Sequence, residues 1–225
     1  PRCPAVMSIT DPPPALPPMS AGQALERLIE GNRRFVDNDR SEHVVLGRRE
    51  RAALAEGQRP FAIILSCSDS RVPSELIFDQ GLGDLFVIRV AGNVVAPSLV
   101  GSVEFAAAAF GTRLAVVMGH SRCGAIKATL SELLQEESGG VLTDNIRDIV
   151  ERCRAPVQTV VSAAGRHAPR DLLMREAIRA NVRNSCDHLR HGSRLLERLC
   201  AEEGMRIVGA EYALETGEVT FLDRV

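Results

Sequence analysis

Two short runs, "FAIILS" (61–66) and "RLAVVMGH" (113–120), restrict the fold of this chain more than any other feature. Each has an uninterrupted apolar centre. A strand with one face in water alternates apolar and polar residues. These do not alternate, so they read as strands buried on both faces, as in a parallel sheet covered on both sides. "DLFVIRVAG" (84–92) reads as another strand. Parallel strands need long crossovers, and the intervening sequence supplies them. "VGSVEFAAAAFG" (100–111) suits a helix packed closely through small residues, and 123–136 suits a second. Residues 144–203 read as largely helical, interrupted near "GRHAPR" (165–170) and at Gly192. "MRIVGAEYAL" and "GEVTFLDRV" close the chain as strands parted by Thr216-Gly217, forming a hairpin or a sheet edge. The expected fold is α/β, with a mainly parallel central sheet flanked by helices.

Ahead of that core the chain changes character. Residues 1–19 are proline-rich and expected to be extended or disordered. Residues 20–58 read as a helical arm. Ser20 stands three residues before Gln23, a capping-box pattern, and Leu25, Leu28, Ile29, Phe35 and Val36 mark one face. Residues 48–57 read as a second short helix ended by Gly57. The arm is expected to pack on its own domain or on a neighbouring subunit. Residues 59–225 are then a single α/β domain, as a length of 225 residues allows. A net charge of −2 without a basic run argues against nucleic acid and membrane surfaces as partners. No apolar run approaches the roughly 20 residues of a membrane span. Six dispersed cysteines in a chain of this size point away from a disulfide scaffold and toward a reducing, cytoplasmic compartment. The chain starts at Pro1 with no signal-peptide pattern, and a longer precursor would reopen the question of export.

In open α/β sheets, ligands bind beyond the carboxyl ends of the strands. Two of those ends carry concentrated chemistry here: "CSDSRVP" (67–73) follows the first apolar run, and "GHSRCGA" (119–125) closes the other. His120 and Cys123 are spaced i, i+3 at a helix start, so both side chains can face one point. With Cys67 they make a Cys2His set. Zn2+ prefers these donors, and three protein ligands leave a fourth position free, as in catalytic sites. Asp69 is the candidate neighbour of that position. It would either coordinate the metal and close the site, or be held away by a bidentate pair with Arg71, leaving a water on the zinc. In the open state zinc lowers the pKa of that water toward about 7, and Asp69 would orient the hydroxide. The plainer readings are buried inert thiols, or a structural zinc closed by Asp69. The joint placement of all five residues at two strand ends favours the catalytic one. A phosphatase-type Cys-x5-Arg loop would need Arg where Pro73 stands. Cys3, Cys153, Cys186 and Cys200 have no ligand-like spacing, and His43, His167, His188 and His191 read as solvated or structural. "RVAGN" (89–93) reads as a strand followed by a turn.

"CSDSRVP", "FDQGLGDLFVIRVAGN" and "GHSRCGA" resemble the β-class carbonic anhydrases, over a stretch from about Gly22 to the closing "GEVTFLD". The resemblance implies an enzyme that interconverts CO2 and bicarbonate with one Zn2+ per subunit. It implies Cys67, His120 and Cys123 as ligands, Asp69 and Arg71 as the catalytic dyad, and attack on CO2 by zinc-bound hydroxide. It also implies a dimer or tetramer whose helical arm packs on the partner. Gln80 matches a glutamine lining the substrate cleft across the dimer interface, and Gly124 a glycine whose N–H faces a substrate oxygen. One group of the family holds regulatory bicarbonate with a Trp three residues before the first Cys. Here that position is Ile64 and the chain has no Trp, so this control is not expected, although Arg89 matches that group's arginine. The rivals are hydrolysis of COS or CS2 by the same centre, and a zinc-holding assembly protein without catalysis. The intact Asp69-Arg71 pair speaks against the second.

Overall fold

In the computed structural model, the described residues are 19–39, 41, 52, 54–136 and 143–222. The proline-rich segment up to residue 18 and the first half of the helix expected over 48–57 lie outside them.

The core is a five-stranded sheet of β1 (Ala62–Ser66), β2 (Leu85–Arg89), β3 (Leu114–His120), β4 (Arg206–Tyr212) and β5 (Val219–Phe221), in the order β2-β1-β3-β4-β5. The first four are mutually parallel, and β5 pairs antiparallel with β4. The helices are α1 (Ala21–Val36), α2 (Ser74–Ile77), α3 (Pro97–Ala109), α4 (Gly124–Leu134), α5 (Asp144–Ala164), α6 (Arg170–His191) and α7 (Arg194–Glu202).

The continuous apolar runs are buried on both faces, as their lack of alternation requires: every residue of β1 and β3 is buried. Successive side chains of a strand still point to opposite sides. Ile64, Val116, Met118 and Val208 pack with Leu25, Leu28, Ile77 and Phe78 on the α1 side. Ile63, Leu65, Val117 and Ile207 pack with Val103, Ala106, Val182, Leu189 and Leu196 on the other. A third cluster joins α4, α5 and α6 through Ile126, Leu130, Val157, Val161, Leu173 and Ile178.

Several boundaries differ from the sequence reading. The helix expected to begin at residue 100 begins at Pro97, a residue suited to a first helical turn because it has no N–H to leave unpaired. The strand expected over 84–92 stops at Arg89. The chain there turns through a short 3-10 segment, Ala91–Asn93, with Gly92 at φ +70° and Asn93 at +43°. The last strand is three residues long, reached through a tight turn with Gly217 at φ +80°.

The capping box of α1 forms: Gln23 N–H donates to Ser20 Oγ (3.3 Å) and Ser20 N–H to Gln23 Oε1 (3.1 Å). The buried face of α1 is Ala21, Ala24, Leu25, Leu28, Gly31 and Asn32, while Ile29 and Val36 are exposed. The helix packs on its own sheet. Gly31 permits the approach, since a Cβ there would collide with the Phe78 carbonyl. Asn32 stitches the contact, donating to the carbonyls of Ile77 (3.1 Å) and Gly217 (2.9 Å) and accepting from Val219 N–H (2.8 Å).

The strand order places the site. From β1 the chain moves outward to β2, and from β3 it moves the other way to β4. The crevice between the ends of β1 and β3 is therefore a topological switch point, where open sheets bind ligands. Ser66 pairs with Met118, so Cys67 and His120 leave the sheet at neighbouring points.

Candidate metal centre

Cys67, His120 and Cys123, brought together from three places in the chain, are all buried, with their donor atoms within 4.8 Å of one another. Among the described residues no other group of three such side chains is gathered in this way. Cys67 follows β1, and His120 is the last residue of β3. A turn with Arg122 at φ +58° then puts Cys123 at the cap of α4.

The residues fit Zn2+ on several counts. Ligands at 2.0–2.3 Å on a tetrahedral ion lie about 4 Å apart or slightly less, so the set needs only a small contraction. His120 Nδ1 lies 2.9 Å from the Ser121 carbonyl, which can only accept, so Nδ1 carries the proton and Nε2 the lone pair. That Nε2 is buried and has no hydrogen-bond partner, an expensive arrangement unless a cation takes the lone pair. The thiols are close enough to share a proton. The Cys67 thiol is pulled down, first by the bond it accepts from Cys123, with burial opposing and His120 and the N–H groups of Asp69 and Gly92 assisting. The same bond, together with burial, pushes the Cys123 thiol up. Two thiolates at this separation repel, and a dication is what lets both ionise.

Beside this set, Asp69 is gripped by Arg71. Arg71 Nε donates to Asp69 Oδ1 (2.9 Å), Nη2 to Oδ2 (2.8 Å), and the Arg71 backbone N–H to Oδ1 (3.0 Å). The bonds from the Arg71 side chain lead in holding the Asp69 carboxyl well below the usual range, against a smaller opposing effect of burial. Asp69 Oδ2 nevertheless lies 4.0 Å from His120 Nε2, next to the metal position. Arg71 thus engages both oxygens of Asp69, and Asp69 lies outside the set of three gathered donors.

The other expected site residues fall in two places. Gly124 opens α4 directly after Cys123, and a Cβ there would meet nothing within 4 Å. Gln80 is buried under α1: Arg27 Nε donates to its Oε1 (3.0 Å), and its Nε2 donates to the Phe78 carbonyl (2.7 Å). Its hydrogen bonds are with Arg27 of α1 and with Glu75 and Phe78 just before it, not with the metal ligands. Cys153 and Cys186 are buried, and burial pushes the Cys153 thiol up to about 12, in keeping with an inert core thiol. Both lie outside the cluster, as do His167, His188 and His191.

The sequence reading missed the backbone frame. "RVAGN" is a strand followed by a turn, but that turn places the Gly92 N–H 3.4 Å from Cys67 Sγ. Arg89, at the end of β2, donates from Nε to the Cys67 carbonyl (3.1 Å) and from Nη2 to the Asp69 carbonyl (2.6 Å), fixing the segment that carries both residues. An arginine ending a strand beside a glycine turn was the only signal for this in the sequence.

Comparison with known proteins agrees with the geometry. The family model described as "Carbonic anhydrase" matches residues 62–219. Carbonic anhydrase 2 of Mycobacterium tuberculosis is 38% identical over 210 residues, covering 92% of this chain and 94% of that protein. A carbonic anhydrase of Mycolicibacterium smegmatis is 47% identical over 135 residues, covering 60% of this chain and 62% of its own length. Among solved structures, the β-carbonic anhydrase CcaA superposes with a TM-score of 0.69 at 30% identity, covering 88% of this chain and 95% of that one.

Proposed function

Because the chain belongs to the β-class carbonic anhydrases, and so to the lyases that interconvert CO2 and bicarbonate, we propose that it works through one zinc ion held by Cys67, His120 and Cys123, with Asp69 and Arg71 in the open arrangement. The observation that carries this reading is the placement of the Arg71-bound Asp69 carboxylate 4.0 Å from the unpaired Nε2 of His120. Zinc held by these residues would supply the Lewis acidity that makes water a nucleophile toward CO2 near neutral pH.

The protein's own groups do the rest. Asp69, kept ionised by Arg71, can only accept a hydrogen bond. It takes one from the attacking water and so turns the free lone pair toward the carbon of CO2. Arg71 prevents the carboxylate from swinging onto the metal. The Gly124 N–H, at the positive end of α4, faces a substrate oxygen. Gln80 lines the cleft of a partner subunit, its amide preset by Arg27 and Phe78. Exposed Ile29, Leu76, Leu82 and Phe105 support assembly as a dimer or tetramer. Ile64 is buried inside β1, the chain has no Trp, and Arg89 is engaged by two carbonyls of its own chain. These features support a site without Trp-based bicarbonate control.

Stopped-flow CO2 hydration by zinc-loaded protein from about pH 7 to about pH 9 tests the proposal, because that range brackets the pKa expected of water on zinc. Substantial turnover near neutral pH is expected. Activity confined to the alkaline end would mean that Asp69 closes the site, and no activity with zinc bound would overturn the reading.

A further inference from the structure

Helix α6 buries an apolar face of Leu173, Ala177, Ile178, Val182 and Leu189, and two polar side chains interrupt it. Asn181 and Ser185 are 1% and 2% exposed and stand one turn apart. Burying such groups is costly unless each finds a partner. Their partners are consecutive carbonyls of the turn that follows β2: Asn181 Nδ2 donates to Gly92 O (2.8 Å) and Ser185 Oγ to Asn93 O (3.1 Å). That turn is strained. Gly92 and Asn93 both have positive φ, and Asn93 Nδ2 is itself buried without a partner. Its Gly92 N–H points at Cys67 Sγ, and a Cβ on Gly92 would come within 2.9 Å of Ala125 Cβ. The turn is therefore held between α4 and α6, with the Gly92 N–H directed at Cys67 Sγ.

We infer that Asn181 and Ser185 are positioning residues for the metal centre: by fixing the carbonyls of Gly92 and Asn93 they hold the Gly92 N–H on the Cys67 sulfur. The inference rests on the proposal that Cys67 is a zinc ligand. An N–H···S bond stabilises the sulfur lone pairs and limits their donation to a metal, and a fixed sulfur needs less ordering when the metal binds. Loss of the clamp should make the thiolate a more electron-rich donor, but the larger cost of ordering a loosened sulfur should leave metal binding weaker overall.

The test uses the full chain, loaded with zinc for affinity by chelator competition and with Co2+ for absorption. Asn181→Ala is expected to lower zinc affinity by up to about tenfold, the low end of the range for losing a direct partner of a ligand, since Asn181 acts through the Gly92 N–H. It should also move the thiolate-to-cobalt band to lower energy. Ser185→Ala should change both in the same direction by less. Leu189→Ala, a cavity in the same helix away from the turn, should lower the melting temperature but leave affinity and band in place. Wild-type affinity and band position in Asn181→Ala would overturn the inference, as would an equal band shift in Leu189→Ala. If Asn181→Ala does not fold, Ser185→Ala decides, and an unmoved band and affinity there overturn it. Failure of the wild-type chain to bind either metal would instead sink the zinc assignment on which the inference stands.

Discussion

At the scale of single residues, the proposed mechanism turns on the pairing of Asp69 with Arg71. Three hydrogen bonds from Arg71 hold both carboxylate oxygens. Asp69→Asn keeps the shape but brings an N–H2 where the reaction needs an acceptor. We expect CO2 hydration to fall by about a hundredfold or more, the scale of a lost proton-handling group, with zinc content unchanged. Stopped-flow assay with metal analysis checks this, and wild-type turnover would remove Asp69 from the mechanism. Arg71→Ala leaves the carboxylate unrestrained, so a zinc-loaded crystal at neutral pH should show Asp69 on the metal. An open site in that crystal would mean that Arg71 is not the gate. The sign of the pH effect follows from the same bonds. A carboxyl whose folded pKa is depressed contributes stability above its unfolded pKa and loses it only as pH falls through the folded value. The ionised Asp69 therefore does not set any change in activity above about pH 5, well clear of the ordinary carboxylate range. These five residues were legible in the sequence because side-chain identity and spacing at two strand ends carry the signal. The Gly92 N–H was not, since a backbone donor leaves no mark in residue type. Asn181 and Ser185 look like ordinary polar residues of a long helix until the fold brings them to the turn.

At the scale of elements, the docking of α1 shows where helix periodicity misleads. Leu25 and Leu28 are on the buried face as their spacing predicts, yet Ile29 is 48% exposed and Gly31 and Asn32 are buried. Periodicity ranks apolar residues and cannot see that the closest contact is between backbones, where only a glycine fits. Gly31→Ala should therefore be destabilising, although alanine is the better helix former. The new methyl would meet the Phe78 carbonyl and the Gln80 amide, and we expect a loss of about 1–3 kcal/mol in denaturant unfolding, as for overpacked cores. Asn32→Ala would strip donors from two carbonyls and an acceptor from Val219 N–H. A loss of about 2 kcal/mol or more is expected, because buried polar groups would be left unpaired. Wild-type unfolding curves for both variants would show that α1 adds little to the fold. The strand and helix order was readable because apolar runs and small-residue segments alternate. The early end of β2 was not, because "VAGN" continues an apolar pattern while Gly92 and Asn93 adopt a conformation that residue type permits but does not announce.

At the scale of the whole molecule, the centre lies where two paired strands of the sheet meet the helix that follows them. Cys67 follows β1, His120 ends β3, and Cys123 caps the helix that packs on α5 and α6. A metal bound to all three therefore crosslinks the middle of the sheet to one helical layer. It binds only the folded chain with full affinity, so mass action stabilises that state by RT ln(1 + [L]/Kd), about 4 kcal/mol when free metal is a thousandfold above Kd. For a domain of this size, each kcal/mol moves the melting temperature by roughly 2–4 °C. Removing zinc with a chelator should lower the transition by about 10 °C, and titrating zinc back should restore it in a concentration-dependent way. Cys67→Ser is the control. It retains a small polar side chain at the end of β1 but weakens the donor set, so added zinc should shift its transition far less. Equal shifts in wild type and Cys67→Ser would mean that the ion acts elsewhere on the surface. No shift in either would mean that the fold holds this crevice together without the metal, leaving zinc a purely chemical role.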